Sequence, residues 1–256
     1  VCLKPETTLE TEKEIHKVIY EPKGVVASIV PWNFPFSNFI WQVGQNLIVG
    51  NTIVFKHSEE TPLFGKEIEN VFNESKLPKG VFNEVYGDGK VGNILINQDI
   101  DMICFTGSSK VGKEIYKIAS KKFIPVLMEL GGSAPGIILE DADLDKALET
   151  VYINRFLNCG QVCDGLKRLI VHESRFDETI TKLKNLIKNK KIGVAEDEKT
   201  EIGPLVAERQ LKLLKEQVKD SLSKGAQIVI GGKVPTNLKG AFFEPTLIIN
   251  VNKNMS

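Results

Sequence analysis

The sequence predicts an α/β fold built on a mostly parallel sheet, and three observations carry that expectation. Short β-branched runs alternate with longer amphipathic stretches through the first half of the chain. Polar or glycine-bearing turns follow several of the apolar runs, and the overall composition is that of an ordinary globular protein. Taken in order, residues 24–30 read as a strand and 37–49 as a helix. Residues 52–56 are extended again, and a helix starts at about Pro62, because a proline's fixed φ and missing N–H suit a first turn. Residues 81–86, 102–106 and 124–128 read as further strands, with helices near 92–96 and 110–120 between them. Strands joined by helices in this way form βαβ units, whose ligands gather at the carboxyl ends of the strands. The second half is less regular. There 144–152, 175–188 and 207–223 read as helices, and 167–171, 227–230 and 246–249 as extended. The pattern changes near Glu129, which sets the expected boundary between a domain over 1–128 and a second over 129–256.

Composition narrows the function classes. The 256 residues suffice for one large or two ordinary cores. Lys+Arg and Asp+Glu are both 33, so the formal charge is zero and neither a nucleic acid nor an anionic membrane surface is expected as partner. No apolar run approaches the roughly 20 residues of a membrane helix. The opening Val1-Cys2-Leu3-Lys4-Pro5 carries no apolar targeting stretch, so the expected location is the cytoplasm. Four cysteines (Cys2, Cys104, Cys159, Cys163) make no disulfide framework in a chain this large. Three scattered histidines (His16, His57, His172) with no CxxC pair predict no metal site. A start at valine and an end in polar sequence after Asn250-Val251-Asn252 predict a piece of a longer chain.

Six motifs bear chemistry, and each has a plain structural alternative. Gly87-Asp88-Gly89-Lys90-Val91-Gly92 spells GxGxxG after a strand, as for close approach to a pyrophosphate. Gly-Asp-Gly is also a common turn, and no ribose acid follows about 20 residues on. In Phe105-Thr106-Gly107-Ser108 a strand runs into a helix start, whose free N–H groups and dipole favour a phosphate oxygen; Ser108 is equally a helix N-cap. Lys56-His57-Ser58-Glu59 follows a strand and offers Lys56 and Glu59 to a ribose diol, or is a polar turn. As a ribose site it favours NAD, because Glu59 repels a 2′-phosphate. Glu129-Leu130-Gly131-Gly132 places a carboxylate at the end of an apolar strand. A desolvated Glu129 with a raised pKa suits a general base, and the glycines admit a close neighbour; otherwise the side chain is simply solvated. Cys163 falls just beyond the tight turn at Gly160 and is the best nucleophile, against a buried inert thiol; Cys159 reads as packing. Asn33, held between Pro31 and Pro35, is a rigid amide donor for an oxyanion or the centre of a buried turn.

In this order Pro31-Trp32-Asn33-Phe34-Pro35, Lys56-His57-Ser58-Glu59-Glu60-Thr61-Pro62, Phe105-Thr106-Gly107-Ser108, Glu129-Leu130-Gly131-Gly132 and Gly160-Gln161-Val162-Cys163 together resemble the aldehyde dehydrogenase superfamily. The resemblance runs from about Tyr20 to the end of the chain and leans to the semialdehyde and lactaldehyde branch. It implies a Rossmann-like cofactor domain followed by an α/β catalytic domain, with the family fold cut short at both ends. It implies oxidation of a small aldehyde with NAD, or NADP, through a cysteine thioester. By position, Cys163 matches the nucleophile, Glu129 the base and Asn33 the side-chain oxyanion donor. Lys56, Ser58 and Glu59 match the adenosine-ribose segment, with Trp32 along the cofactor path. Gly87, Gly89, Phe105, Thr106, Gly107, Ser108 and Val111 match the glycine loop and the pyrophosphate turn, and Leu130 and Gly131 lie near the nicotinamide. A homo-oligomer is implied for the complete protein. Three departures stand out. The glycine loop is one residue short, Ser133 stands where lysine is commoner, and Asp164 follows the nucleophile. A carboxylate turned toward that thiol opposes its ionisation. A relative that passes the acyl group to CoA and a silent protein that keeps the fold are the competing expectations.

Overall fold

The computed structural model describes residues 3–255, so Cys2 of the cysteine count lies outside the described residues. The chain forms two compact units, the first ending at Gly131 and the second beginning at Gly132.

The first unit opens with an antiparallel hairpin of β1 (Glu6–Glu10) and β2 (Ile15–Val18), exposed along both strands. The sequence reading does not predict it, because strands solvated on both faces show no alternation to read. Next come β3 (Val25–Ile29), the helices α1 (Pro35–Phe39) and α2 (Gln45–Ile48), β4 (Thr52–Lys56), α3 (Pro62–Glu74), β5 (Phe82–Glu84), α4 (Gly89–Ile96), β6 (Met102–Gly107), α5 (Ser109–Lys122) and β7 (Val126–Leu130). The five strands from β3 onward form one wholly parallel sheet in the order β5-β4-β3-β6-β7. The chain winds outward from β3 to β5, then returns across β3 to add β6 and β7. This reversal opens a crevice at the carboxyl ends of β3 and β6, the usual ligand position in such a sheet.

Both faces of the sheet are buried, so its strands are apolar on both sides. Val26, Ile53, Phe55 and Cys104 pack on one face with Phe39, Val43 and Ile68; Ala27, Ile103 and Phe105 pack on the other with Leu95, Ile115 and Ala119. Phe39 is the hub of the first cluster, meeting Phe55, Phe64, Phe72 and Phe82 edge-on at centroid distances of 5.1 to 6.4 Å. Its helix begins at Pro35, and a π-helical turn, Ile40–Gly44, joins α1 to α2. Gln42 in that turn is buried. With its amide set to satisfy both ends, it donates to the Cys104 carbonyl (3.2 Å) and Ser28 Oγ (2.7 Å) and accepts from the Thr106 N–H (3.1 Å) and Oγ1 (2.7 Å). One side chain thus ties β3 to the carboxyl end of β6.

In the second unit β8 (Ala134–Ile138) runs parallel to β9 (Leu166–Val171), and α6 (Leu144–Phe156) and α7 (Phe176–Lys188) bury Leu144, Leu148, Val151 and Leu183 beside Ile138. The strand β8 escapes sequence reading because Pro135 and Gly136 lie inside it, and the pairing shifts register at Pro135. A further core joins α8 (Glu208–Ser223) to the antiparallel pair β10 (Gln227–Ile230) and β11 (Leu247–Ile249) through Leu211, Val218, Ala241 and Phe243. Among the described residues no helix is long and apolar enough to cross a membrane.

Phe39→Ala removes the hub of the aromatic cluster and is expected to cost about 3–5 kcal/mol. Urea unfolding of parent and variant measures this, and an unshifted midpoint would show that the cluster does not hold α1 to the sheet.

Candidate active site

Four strand ends of the first unit carry the expected cofactor residues. After β3 the chain passes through Val30, whose N–H donates to the Lys56 carbonyl (3.2 Å), into a bend holding Trp32 and Asn33, both half-buried. The bend is closed by Asn38, which donates from its backbone N–H (3.0 Å) and from Nδ2 (2.8 Å) to the Phe34 carbonyl. With Pro35 in the first turn of α1, this fixes the backbone on which Asn33 is mounted.

At the end of β4 the Lys56 side chain is only 4% exposed, yet its Nζ donates to the His57 carbonyl at 3.0 Å and lies 3.7 Å from Glu59 Oε2. Burial pushes the Lys56 ammonium below the ordinary lysine value, and the nearby Glu59 and Asp88 charges oppose that shift. Ser58 is buried and turns inward, accepting from the Glu60 N–H at 3.3 Å. The turn after β5 closes on the same lysine. Gly87 has φ of 145°, Asp88 caps α4 by accepting from the Lys90 N–H (2.8 Å), and Gly92 packs against the Lys56 stem. The GxGxxG segment is therefore the turn its plain reading expects, running into a capped helix start, and it brings Gly92 and the Asp88 charge to Lys56.

At the end of β6, Phe105 is buried and a Cβ on Gly107 would stand 2.5 Å from its ring, so the turn needs glycine. Ser108 caps α5, its Oγ accepting from the Val111 N–H (3.3 Å). Both readings of this segment are compatible, since a capped helix of 14 residues still directs N–H groups outward. Thr106 is the register partner of Glu129, and Gly107 of Leu130. Glu129 departs from expectation in two ways. It lies inside β7 rather than after it, and it is exposed rather than desolvated. The cause is strand alternation. Met128 and Leu130 turn toward α5, where they crowd Gly112, so Leu127 and Glu129 face the other way, into solvent.

Cys163 belongs to the second unit. The chain leaves α6 through Asn158, Cys159 and Gly160, three consecutive left-handed residues with φ of 49°, 58° and 76°. It then makes a turn in which the Gly165 N–H donates to the Val162 carbonyl (3.3 Å), leaving Cys163 and Asp164 exposed at its tip. The Cys163 sulfur is 3.9 Å from Asp164 Oδ1, so that carboxylate faces the thiol. The Cys163 carbonyl accepts from the Gly132 N–H (3.0 Å), and a Cβ on Gly132 would come within 3.2 Å of this oxygen. The close neighbour expected at the glycine pair is the turn that carries Cys163. Lys167 donates from Nζ to the Gly132 carbonyl on the other side. Cys159 is half-buried, donates to the Gly203 carbonyl (3.3 Å), and has its thiol pushed up by burial, as has the wholly buried Cys104. Among the described cysteines only Cys163 is exposed.

Sequence reasoning missed residues that support these positions. Gln42 had a signal, since Asn38, Gln42 and Asn46 repeat every fourth residue along an otherwise apolar helix. Arg155 had none, although its guanidinium donates to the Leu166 carbonyl (3.2 Å) and packs on Gly160, just before the turn that carries Cys163.

A sequence model described as the aldehyde dehydrogenase family matches residues 2–256. The 3,6-anhydro-alpha-L-galactose dehydrogenase of Vibrio sp. (strain EJY3) is 39% identical over 240 residues, which are 92% of this chain and 50% of the relative. A solved NAD+ complex of an aldehyde dehydrogenase from Bacillus cereus superposes with a TM-score of 0.94 at 35% identity, covering 99% of this chain and 52% of that one. An NADP-dependent enzyme of E. coli gives 0.95 at 35% identity, with 99% and 53% covered. The chain spans about half the length of the curated relatives it matches.

Lys56 makes a pH prediction with a definite sign. Its pKa in the fold lies below the ordinary 10.5, so between the two values the unfolded chain holds the extra proton and stability rises with pH. Below that window both states are protonated and the cost of burying the charge is fully present. Urea unfolding from neutral to alkaline pH is expected to show the parent gaining on Lys56→Met as pH rises; parallel curves would refute the assignment.

Proposed function

The chain belongs to the aldehyde dehydrogenase family, and from that premise we propose that it carries the cofactor-binding and nucleophile-bearing portion of an enzyme that oxidises a small aldehyde to its carboxylic acid. The observation that carries this reading is the exposed Cys163 at the tip of a turn whose carbonyl is held by Gly132, three residues beyond Glu129 in the sequence. An accessible thiol on a braced turn is what nucleophilic attack on a carbonyl requires.

Cys163, as thiolate, attacks the aldehyde carbon, and the Asn33 amide and a backbone N–H stabilise the oxyanion that forms. Nicotinamide, when bound, supplies the acceptor for the hydride lost as the cysteine adduct becomes a thioester. Glu129 then takes a proton from water, the water oxygen attacks the thioester, and the acid leaves as the Cys163 thiolate is restored. Lys56 and Glu59 hold the adenosine ribose, with Ser58 buried beneath their turn. Gly107, Ser108 and Val111 receive the pyrophosphate, and Trp32, Gly87, Gly89, Phe105 and Thr106 line the path to Leu130 and Gly131 near the nicotinamide. Two features favour these assignments: the buried ammonium of Lys56 with Glu59 beside it, and the capped helix start at Ser108. The Glu59 carboxylate repels a 2′-phosphate, so NAD is the preferred cofactor over NADP.

The test is pre-steady-state NADH formation by the complete gene product with small aldehydes. The parent is expected to give a burst that Cys163→Ala abolishes, whereas Glu129→Gln keeps the burst and loses turnover. Asn33→Ala is expected to lower kcat by about 10²–10³-fold, the usual effect of removing one oxyanion donor. Turnover retained by Cys163→Ala would overturn the mechanism.

A further inference from the structure

Beneath the Lys56 turn lies a buried ionisable pair that the mechanism leaves unused. His57 Nδ1 stands 2.6 Å from Glu84 Oε1, with the two side chains 2% and 1% exposed. The other Glu84 oxygen, Oε2, is also buried and has no hydrogen-bond partner among the described residues. Helix α3 presses directly onto the pair. A Cβ on Gly65 would stand 2.3 Å from His57 Nδ1 and 2.6 Å from Glu84 Oε1, and only glycine lets the helix lie that close. On another side the Tyr86 ring meets the imidazole edge-on at 4.7 Å, while its hydroxyl donates to Glu69 (3.2 Å). Taking a carboxylate and an imidazole out of water is costly, and a lone buried Oε2 adds to the cost, so packing alone favours hydrocarbon here. The pair has a directional consequence that hydrocarbon lacks. It pins the first residue after β4 to the last residue of β5, and the carbonyl of that pinned residue, His57, receives Lys56 Nζ at 3.0 Å. Lys56 Nζ in turn lies 3.7 Å from Glu59.

We propose that the His57–Glu84 pair is a positioning element for the cofactor's adenosine ribose: by fixing the His57 ring it fixes the carbonyl that holds the Lys56 ammonium toward Glu59. The inference rests on the cofactor reading given above and adds to it two residues that touch no ligand. A ribose diol gripped from both sides by Lys56 and Glu59 requires their separation to be set before binding. Otherwise binding itself bears the cost of ordering a long lysine side chain. Discrimination against a 2′-phosphate depends on the same separation, because a lysine released from the carbonyl is free to pair with the phosphate and offset the Glu59 repulsion.

The experiment is calorimetric titration of the complete gene product with ADP-ribose, NAD and NADP. His57→Phe keeps a ring of similar size but loses the bond to Glu84; it is expected to weaken ADP-ribose by about tenfold, equivalent to roughly 1.4 kcal/mol. The same variant is expected to narrow the NAD-to-NADP affinity ratio, which a general loosening of the fold would leave alone. Glu84→Gln keeps an acceptor for an Nδ1–H and is expected to retain most of the affinity. Should His57→Phe lose its cooperative melting transition, His57→Leu, which also has no donor for Glu84, replaces it under the same criteria. A folded variant with parental ADP-ribose affinity and ratio overturns the proposal. If the parent itself fails to bind ADP-ribose, or Lys56→Met binds it as tightly as the parent, the cofactor reading fails instead and the inference falls with it.

Discussion

The first unit depends on one constraint, the reversal of winding in a parallel sheet. Once β6 is laid beside β3 rather than beyond β5, the loops after the two strands must diverge, and the crevice between them cannot be filled by a crossover helix. Polar backbone exposed by that divergence needs partners, and Gln42 provides them from the π-helical turn by bonding Ser28, Cys104 and Thr106 at once. The extra residue of the π turn is a device of the kind often found near functional positions, where a regular helix would aim the side chain elsewhere. Placement of Gly107 and Ser108 at the head of α5 follows from this brace rather than from the glycine-rich turn alone.

Burial then separates the ionisable groups of the chain from one another. Lys56 is buried and loses some of its preference for charge, so its ammonium is poised for the carbonyl and carboxylate around it rather than for water. Among the thiols the division is sharper. Burial pushes Cys104 and Cys159 away from ionisation, while Cys163 alone of the described cysteines is exposed. Exposure sorts these three sulfurs more clearly than their spacing in the sequence does.

Much of this was legible from residue pattern, for a physical reason. The strands β3, β4 and β6 are buried on both faces, so they read as short, mostly apolar runs, and the helices α1, α3 and α5 carry proline or serine at their starts. The hairpin β1–β2 left no such trace because neither of its faces is buried, and β8 was hidden by Pro135 and Gly136. The orientation of Glu129 was misjudged because the strand was ended at Met128. With β7 running on to Leu130, Glu129 falls into the strand alternation beside Leu127 and faces away from α5. His57 and Glu84 are 27 residues apart and became a pair only through the parallel register of β4 and β5, which no local pattern encodes.

The turn that carries Cys163 shows how backbone strain is held beside an exposed thiol. Asn158 and Cys159 each occupy the left-handed region at a cost of about 1–2 kcal/mol for a residue with a Cβ. Offsetting bonds surround them. Cys159 donates to Gly203, Gln161 donates to the Asn158 carbonyl and accepts from the Val206 N–H, and Arg155 donates to Leu166 beyond the turn. Bonds of this kind contribute about 1 kcal/mol each, so the set roughly balances the strain. Glycine is required at position 160, where a Cβ would stand 2.4 Å from Arg155 Nη2 and 2.9 Å from its backbone oxygen. Every one of these restraints acts on the residues flanking Cys163 and leaves its sulfur unpacked. A turn braced from behind and open in front combines fixed position with access, and a packed or mobile cysteine would have only one of the two.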